Sequence, residues 1–230
     1  MGAALPVPEA LRRAWEARRE ALPGRRLPWL EALRRQAWEA FLDRGLPSPR
    51  EEAWRYTRLQ PLARRGFLPG PGEGPEAAPA PPGGWGAAWG LPGAAALVFL
   101  DGRPVAREGA LPRGLRLEPL GRALEGPEEE GLAHRLGAVL DEEALGGRPF
   151  VALNTALFED GAWVEAAPGA EAPEGPEGTL LLVHLYGPGL GGRMLHPRSL
   201  LRVGAGARLA VAELHLPLDG EVDGGGDGSF

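Results

Sequence analysis

The sequence predicts an α+β fold, helical over its first third and mainly β beyond Pro149. Three observations point there. Apolar residues recur at helical spacing between Pro8 and Phe41. Short apolar or alternating runs separated by glycine-rich turns dominate from Ala95 onward. Between these regions, 15 of the 25 residues from Pro69 to Gly93 are Gly or Pro. With 36 Gly and 25 Pro in 230 residues the chain nears the composition of low-complexity disorder, but a hydrophobic share of 43% is enough to bury a core.

The elements follow in order. Pro8-Glu9 opens a helix to about Leu22, where Pro23-Gly24 stops it. Pro28 opens a second helix with Leu30, Leu33, Ala37, Trp38 and Phe41 on one face, and Gly45 and Pro47 end it. Ser48, followed three residues later by Glu51, has the form of a capping box for a short turn expected to bury Trp54. The Pro69–Gly93 stretch reads as a linker or irregular coat tacked down by Trp85 and Trp89. Ala95–Leu100 is a strand and Asp101-Gly102 a hairpin turn. Leu115–Glu118 alternates like a strand, and a helix is predicted from Pro127 to Leu145 with Leu132, Leu136, Val139 and Leu140 as its buried stripe. Asn154 is expected to cap a one-turn helix ending at Asp160-Gly161. Strands follow at Trp163–Ala166, Thr179–Tyr186, Ser199–Val203 and Ala207–Leu214. Residues 220–230, with five Gly and three acids, read as a disordered tail.

Composition excludes several chemistries. The chain has no cysteine, so disulfides, thiolate metal sites, cysteine nucleophiles and a cluster held by its own thiolates are out. All 25 basic residues are arginine, which removes Schiff-base and P-loop lysines. The longest apolar run, Ala94–Leu100, is far short of the roughly 20 residues that span a bilayer. The opening Met-Gly-Ala-Ala-Leu-Pro lacks the pattern of a secretory signal. The expectation is a cytoplasmic protein with neither membrane nor nucleic acid as partner. Residues 1–65 carry 14 Arg against 8 acids, but the two signs interleave at helical spacing as on a solvated helix face.

Four constellations bear on chemistry. Gly187-Pro188-Gly189-Leu190-Gly191-Gly192 fits G-x-G-x-x-G after a strand, with Glu213 at the distance of a ribose-binding acid. A dinucleotide site needs a helix opening at the third glycine, and Pro197 stands against one, so an inter-strand loop is expected. His184, His196 and His215 lie in or beside β segments without a metal-ligand spacing, and are read as three ordinary histidines; His134 is placed half-exposed on its helix. Asp223 and Asp227 lack the other ligands of a calcium loop. Glu142-Glu143 sits at solvent-facing helix positions, and no nucleophile elbow or zinc-protease motif occurs. No residue is assigned as catalytic, cofactor-binding or metal-binding.

Three ordered segments carry a resemblance. Gly45-Leu46-Pro47-Ser48-Pro49-Arg50-Glu51-Glu52-Ala53-Trp54-Arg55-Tyr56-Thr57-Arg58-Leu59 resembles the N-terminal signature of the SufB/SufD family, most like SufD. Phe150-Val151-Ala152-Leu153-Asn154-Thr155-Ala156-Leu157-Phe158-Glu159-Asp160-Gly161 and His196-Pro197-Arg198-Ser199-Leu200-Leu201-Arg202-Val203-Gly204-Ala205-Gly206-Ala207-Arg208-Leu209-Ala210-Val211-Ala212-Glu213 resemble two later stretches of the same family. The resemblance implies a helical N-terminal domain followed by the first part of a parallel β-helix. It also implies a non-enzymatic scaffold subunit in iron–sulfur cluster assembly, part of a SufBCD complex, with a SufB-like paralogue and a SufC-like ATPase as partners. The iron–sulfur cluster is then handled by the complex, and this chain alone binds no cofactor. Trp54, Tyr56, Asn154, Arg198 and Glu213 match motif positions with structural roles expected.

The expected organisation is therefore a helical domain over 1–65, a Pro/Gly-rich linker over 66–93, an α/β lead-in and the start of the β-helix core over 94–219, and the tail over 220–230. The match covers only the N-terminal half of such a protein, so a truncated product is expected, lacking the helices through which the family docks SufC. Two other readings stay open: a nucleotide-binding enzyme using Gly187–Gly192, and a stand-alone β-helical interaction module.

Overall fold

A computed structural model describes residues 5–57, 59–65, 67–70, 78, 80–126, 129–137 and 147–218. Helices and strands mix as the α+β reading requires. The first third forms α1 (Glu9–Arg18), α2 (Pro28–Arg44) and α3 (Gln60–Arg65). Pro28 occupies the first turn of α2, and Gly45 ends the helix at φ 70°, donating its N–H to the Phe41 carbonyl at 2.8 Å. That φ lies in the left-handed region, which favours glycine. Ser48 and Glu51 close the turn before a 3₁₀ helix at Glu52–Trp54, which takes Glu51 and not Ser48 as its N-cap. The Ser48 N–H donates to Glu51 Oε1 at 2.8 Å, and the Ser48 hydroxyl accepts from the Arg50 N–H at 3.2 Å. Trp54, expected buried, is only half-buried, because it lies at the margin of the core against Phe150, with ring centroids 5.1 Å apart.

The helical unit does not close its core within residues 1–65. Leu11, Trp15, Ala37, Trp38 and Phe41 are buried with Ala152, Leu153, Ala156 and Leu157 of a later helix, Pro149–Leu157. Trp15 and Trp38 stack at 5.1 Å within this cluster. The wide apolar stripe of two helices needs a third surface, and that late helix supplies it. The expected one-turn helix capped by Asn154 is corrected accordingly. Pro149 starts the helix five residues earlier, and Asn154 sits inside it.

The Pro/Gly stretch is also more integrated than a linker over its described residues. Leu68–Pro69 forms β1, a parallel pair with a later strand at Arg193–Met194. Gly84–Ala88 forms α4, which buries Trp85, whereas Trp89 is 46% exposed and tacks nothing down.

The strands β2 (Ala95–Leu100), β3 (Arg103–Glu108), β4 (Leu115–Pro119), β5 (Ala162–Ala166), β6 (Thr179–Tyr186), β7 (Arg193–Met194), β8 (Leu200–Val203) and β9 (Ala210–Pro217) form the rest. Between β4 and β5 come α5 (Leu120–Leu124), α6 (Glu129–Leu136) and α7 (Pro149–Leu157). Of the helix predicted over Pro127–Leu145, α6 carries Leu132 and Leu136 into a cluster with Leu120, Leu124, Phe158 and Trp163. Val139 and Leu140 lie outside the described residues.

Two sheets face each other. One has the order β3-β2-β6-β9, the other β4-β5-β8. Within these two sheets, among the described residues, β2–β3 and β4–β5 are antiparallel, and β2–β6, β6–β9 and β5–β8 are parallel. The Asp101-Gly102 turn joins β2 to β3, with φ 51° and 82° at its two residues, as a type I′ hairpin requires. Successive stretches of chain stack on one another: β5 under β8, Glu171 beside Arg208, β6 under β9. The last strand lies three residues later than expected, because Gly204–Gly206 turns and the Arg208 bridge uses the residues before Ala210.

β6 is buried on both faces, so it reads as a nearly continuous apolar run rather than an alternation. Leu181, Val183 and Leu185 pack with Trp85, Val98 and Leu100; Leu180 and Leu182 pack with Leu97, Phe99, Leu117 and Val164 between the sheets. Truncating Leu182 to alanine there costs about 2–5 kcal/mol. This second face carries the candidate site.

Candidate metal centre

Parallel pairing in register decides which side chains meet. β6 and β9 align His184 with His215, and β2 aligns Phe99 with His184. Side chains two residues apart share a face, so Tyr186 stands beside His184, and Glu213 beside His215. The rings form a column on that face: Phe99 to His184 at 4.9 Å, His184 to His215 at 4.7 Å, and Tyr186 to His215 at 5.8 Å, all within 10° of parallel.

Glu213 closes the group. Its Oε1 lies 3.0 Å from His184 Nε2 and 3.7 Å from His215 Nε2. The Tyr186 hydroxyl lies 2.5 Å from His215 Nδ1. One ligand atom from each of His184, Glu213 and His215 falls within 4.8 Å of the others. His184 is buried to 2% exposure, while Glu213 and His215 are nearly half exposed at 45% and 48%. The group is anchored on one side and open to solvent on the other.

The electrostatics keep His184 a neutral imidazole. Burial lowers its pKa first, and His215 adds to that, against the opposing pull of Glu213. A neutral imidazole is the form that ligates metals. Burial, then the Glu213 charge, raise the Tyr186 pKa, so the phenol keeps its proton. The outer contact from Tyr186 to His215 Nδ1 holds the ring and leaves Nε2 facing Glu213.

Of the three histidines read as ordinary, two thus converge and one does not. His196 lies between β7 and β8, near Arg18 of α1, which is ion-paired with Glu159. Its Nε2 is buried with no hydrogen-bond partner, and burial, helped by the Arg18 charge, pushes its pKa down to about 4. The side chain of His134 and residues Glu142, Glu143, Asp223 and Asp227 fall outside what the structure describes. Spacing motifs could not find the pair because parallel neighbours are 31 residues apart. The signal available was the repeated His-Leu of Val183-His184-Leu185 and Leu214-His215-Leu216 at that same offset.

The glycine-rich loop resolves as an inter-strand connection. Pro188–Leu190 makes a single 3₁₀ turn, Gly191-Gly192 turns, and the chain continues as β7. The helix N-terminus that a pyrophosphate needs does not follow the third glycine. The Gly187 N–H instead donates to Asp101 Oδ1 at 2.8 Å, tying the loop to the β2–β3 hairpin. Glu213, which stands at the spacing of a ribose-binding acid, faces His184.

Of the motif residues, Asn154 and Arg198 tie two segments together, whereas Tyr56 lies in solvent. Asn154 Nδ2 donates to the Pro197 carbonyl at 2.9 Å, and Arg198 Nη1 donates to Asn154 Oδ1 at 3.1 Å and to Thr155 Oγ1 at 2.9 Å. Tyr56 is 85% exposed beside Arg55. Among the described residues no helix is long and apolar enough to cross a membrane. No family model and no curated protein matches the chain.

Proposed function

We propose that the chain is a SufD-like scaffold subunit of iron–sulfur cluster assembly, without catalytic activity of its own. In this reading it works in the cytoplasm beside a SufB-like paralogue and a SufC-like ATPase, and the cluster is cargo handled by the assembled complex. The observation that carries the reading is that the three segments resembling the family come together in space. Trp54 of the first packs on Phe150 of the second, and Asn154 and Thr155 of the second accept hydrogen bonds from Arg198 of the third. Segments spread from Gly45 to Glu213, the middle one touching each of the others, behave as parts of a single fold signature.

The parallel stacking of β5 on β8 and β6 on β9 supports the finer proposal that this is the first part of a parallel β-helix. In such a coil each turn would lie in register on the one before, as His215 lies on His184 in the β6–β9 pair. The absence of cysteine agrees with a subunit that leaves cluster ligation to its partner. Co-expression with SufB- and SufC-like proteins of the same source tests the proposal. Recovery of this chain with the SufB-like partner is expected. A chain of the same source carrying this sequence that binds neither partner overturns it.

A further inference from the structure

We propose that His184, Glu213 and His215 bind one divalent transition-metal ion of borderline character, such as Fe²⁺ or Zn²⁺. The inference rests on the geometry of the β6–β9 face and stands whether or not the scaffold reading holds. Two imidazoles and a carboxylate suit such ions, and the nitrogen donors disfavour Mg²⁺ and Ca²⁺.

The distances are near what a metal needs. Bonds of about 2.0–2.2 Å to tetrahedral ligands set the ligand atoms roughly 3.4 Å apart. The two separations from Glu213 Oε1, 3.0 and 3.7 Å, bracket that value. His184 is held rigidly, buried and stacked on Phe99. His215 and Glu213 are the exposed partners, so a small rotation of either brings its ligand atom inward. The stacked imidazoles require such a rotation, since the lone pairs of parallel rings do not meet at one point. The Tyr186 hydroxyl at His215 Nδ1 is the kind of outer-shell contact that orients a ligating histidine. The open side leaves at least one coordination position to solvent, as in sites that exchange or present their metal.

Co²⁺ serves as a spectroscopic probe on the tag-free full chain. The wild type is expected to take up about one Co²⁺ per chain, with visible d–d absorption of nitrogen and oxygen ligation that Zn²⁺ displaces. Glu213→Gln and His215→Gln, both at exposed positions, are each expected to weaken uptake tenfold or more while leaving the metal-free melting temperature unchanged. His196→Asn, outside the His184–Glu213–His215 group, is expected to bind as the wild type does. Absence of stoichiometric uptake at millimolar Co²⁺ overturns the proposal. So does uptake that survives both β9 substitutions, or that is lost in His196→Asn.

Discussion

Replacing Gly161 by alanine places a methyl carbon 1.9 Å from the carbonyl oxygen of Arg198, 2.4 Å from its carbonyl carbon and 2.8 Å from its nitrogen. Ordinary contact begins at 3.4 Å, so the two backbone segments must part by about 1.5 Å. The obstacle is backbone, and no rotamer change relieves it. The same movement strains the Arg198 N–H to Asp160 carbonyl bond at 3.0 Å and the Leu120 N–H to Gly161 carbonyl bond at 2.8 Å. Overpacking of this kind costs about 1–3 kcal/mol, and each weakened hydrogen bond adds about 0.5–1.5 kcal/mol. A destabilisation of about 3–5 kcal/mol is expected, or roughly 10 °C in melting temperature for a chain of this size. Gly191→Ala is the matched control. It has φ −52° and nothing within 4 Å of the added carbon, so about 0.4–1 kcal/mol of stabilisation is expected from the unfolded chain's lost freedom. Urea unfolding followed by circular dichroism measures both. A Gly161→Ala protein within about 1 kcal/mol of wild type would refute the close approach of the third motif segment to the second.

Three further outcomes follow from the packing and charge. His196, with a folded pKa of about 4 against an ordinary 6.5, stays neutral in the fold while the unfolded chain takes up a proton. Its contribution is therefore complete above about pH 6.5 and is lost as pH falls toward 4, by at most about 3 kcal/mol; the stability difference between wild type and His196→Asn should move in that window, and a flat difference contradicts the burial. Asn154→Ala and Arg198→Met should each destabilise, with a coupling of about 1–3 kcal/mol in a double-mutant cycle on unfolding free energies, and simple additivity would count against their hydrogen bond. Trp85→Ala should cost about 3–5 kcal/mol, whereas Trp89→Ala should stay within about 0.5 kcal/mol, both read by thermal melts.

Local chemistry was legible in the sequence wherever it is governed by residues close along the chain. Pro28 and Gly45 bracket α2, Ser48 and Glu51 close their turn, and Asp101-Gly102 turns the hairpin. What the sequence concealed depends on partners far away. α7 joins the N-terminal core because α1 and α2 leave apolar surface that only a later segment covers, and nothing within 1–65 names that segment. His184 and Glu213 meet through a parallel register, which no short motif encodes. Trp85 and Trp89 look equivalent in a Gly/Pro-rich stretch; the fold buries the first and leaves the second in water. Glu213 and the two histidines of the β segments carried little signal singly, and the 31-residue echo of His-Leu was the one trace of their pairing.

The central claim concerns partnership, and co-purification measures it most directly. The chain co-expressed with SufB- and SufC-like proteins from the same source should elute in one complex with the SufB-like subunit on size exclusion, at equal stoichiometry by mass. Elution of this chain apart from both, by a protein whose far-ultraviolet spectrum shows it folded, would contradict the scaffold reading.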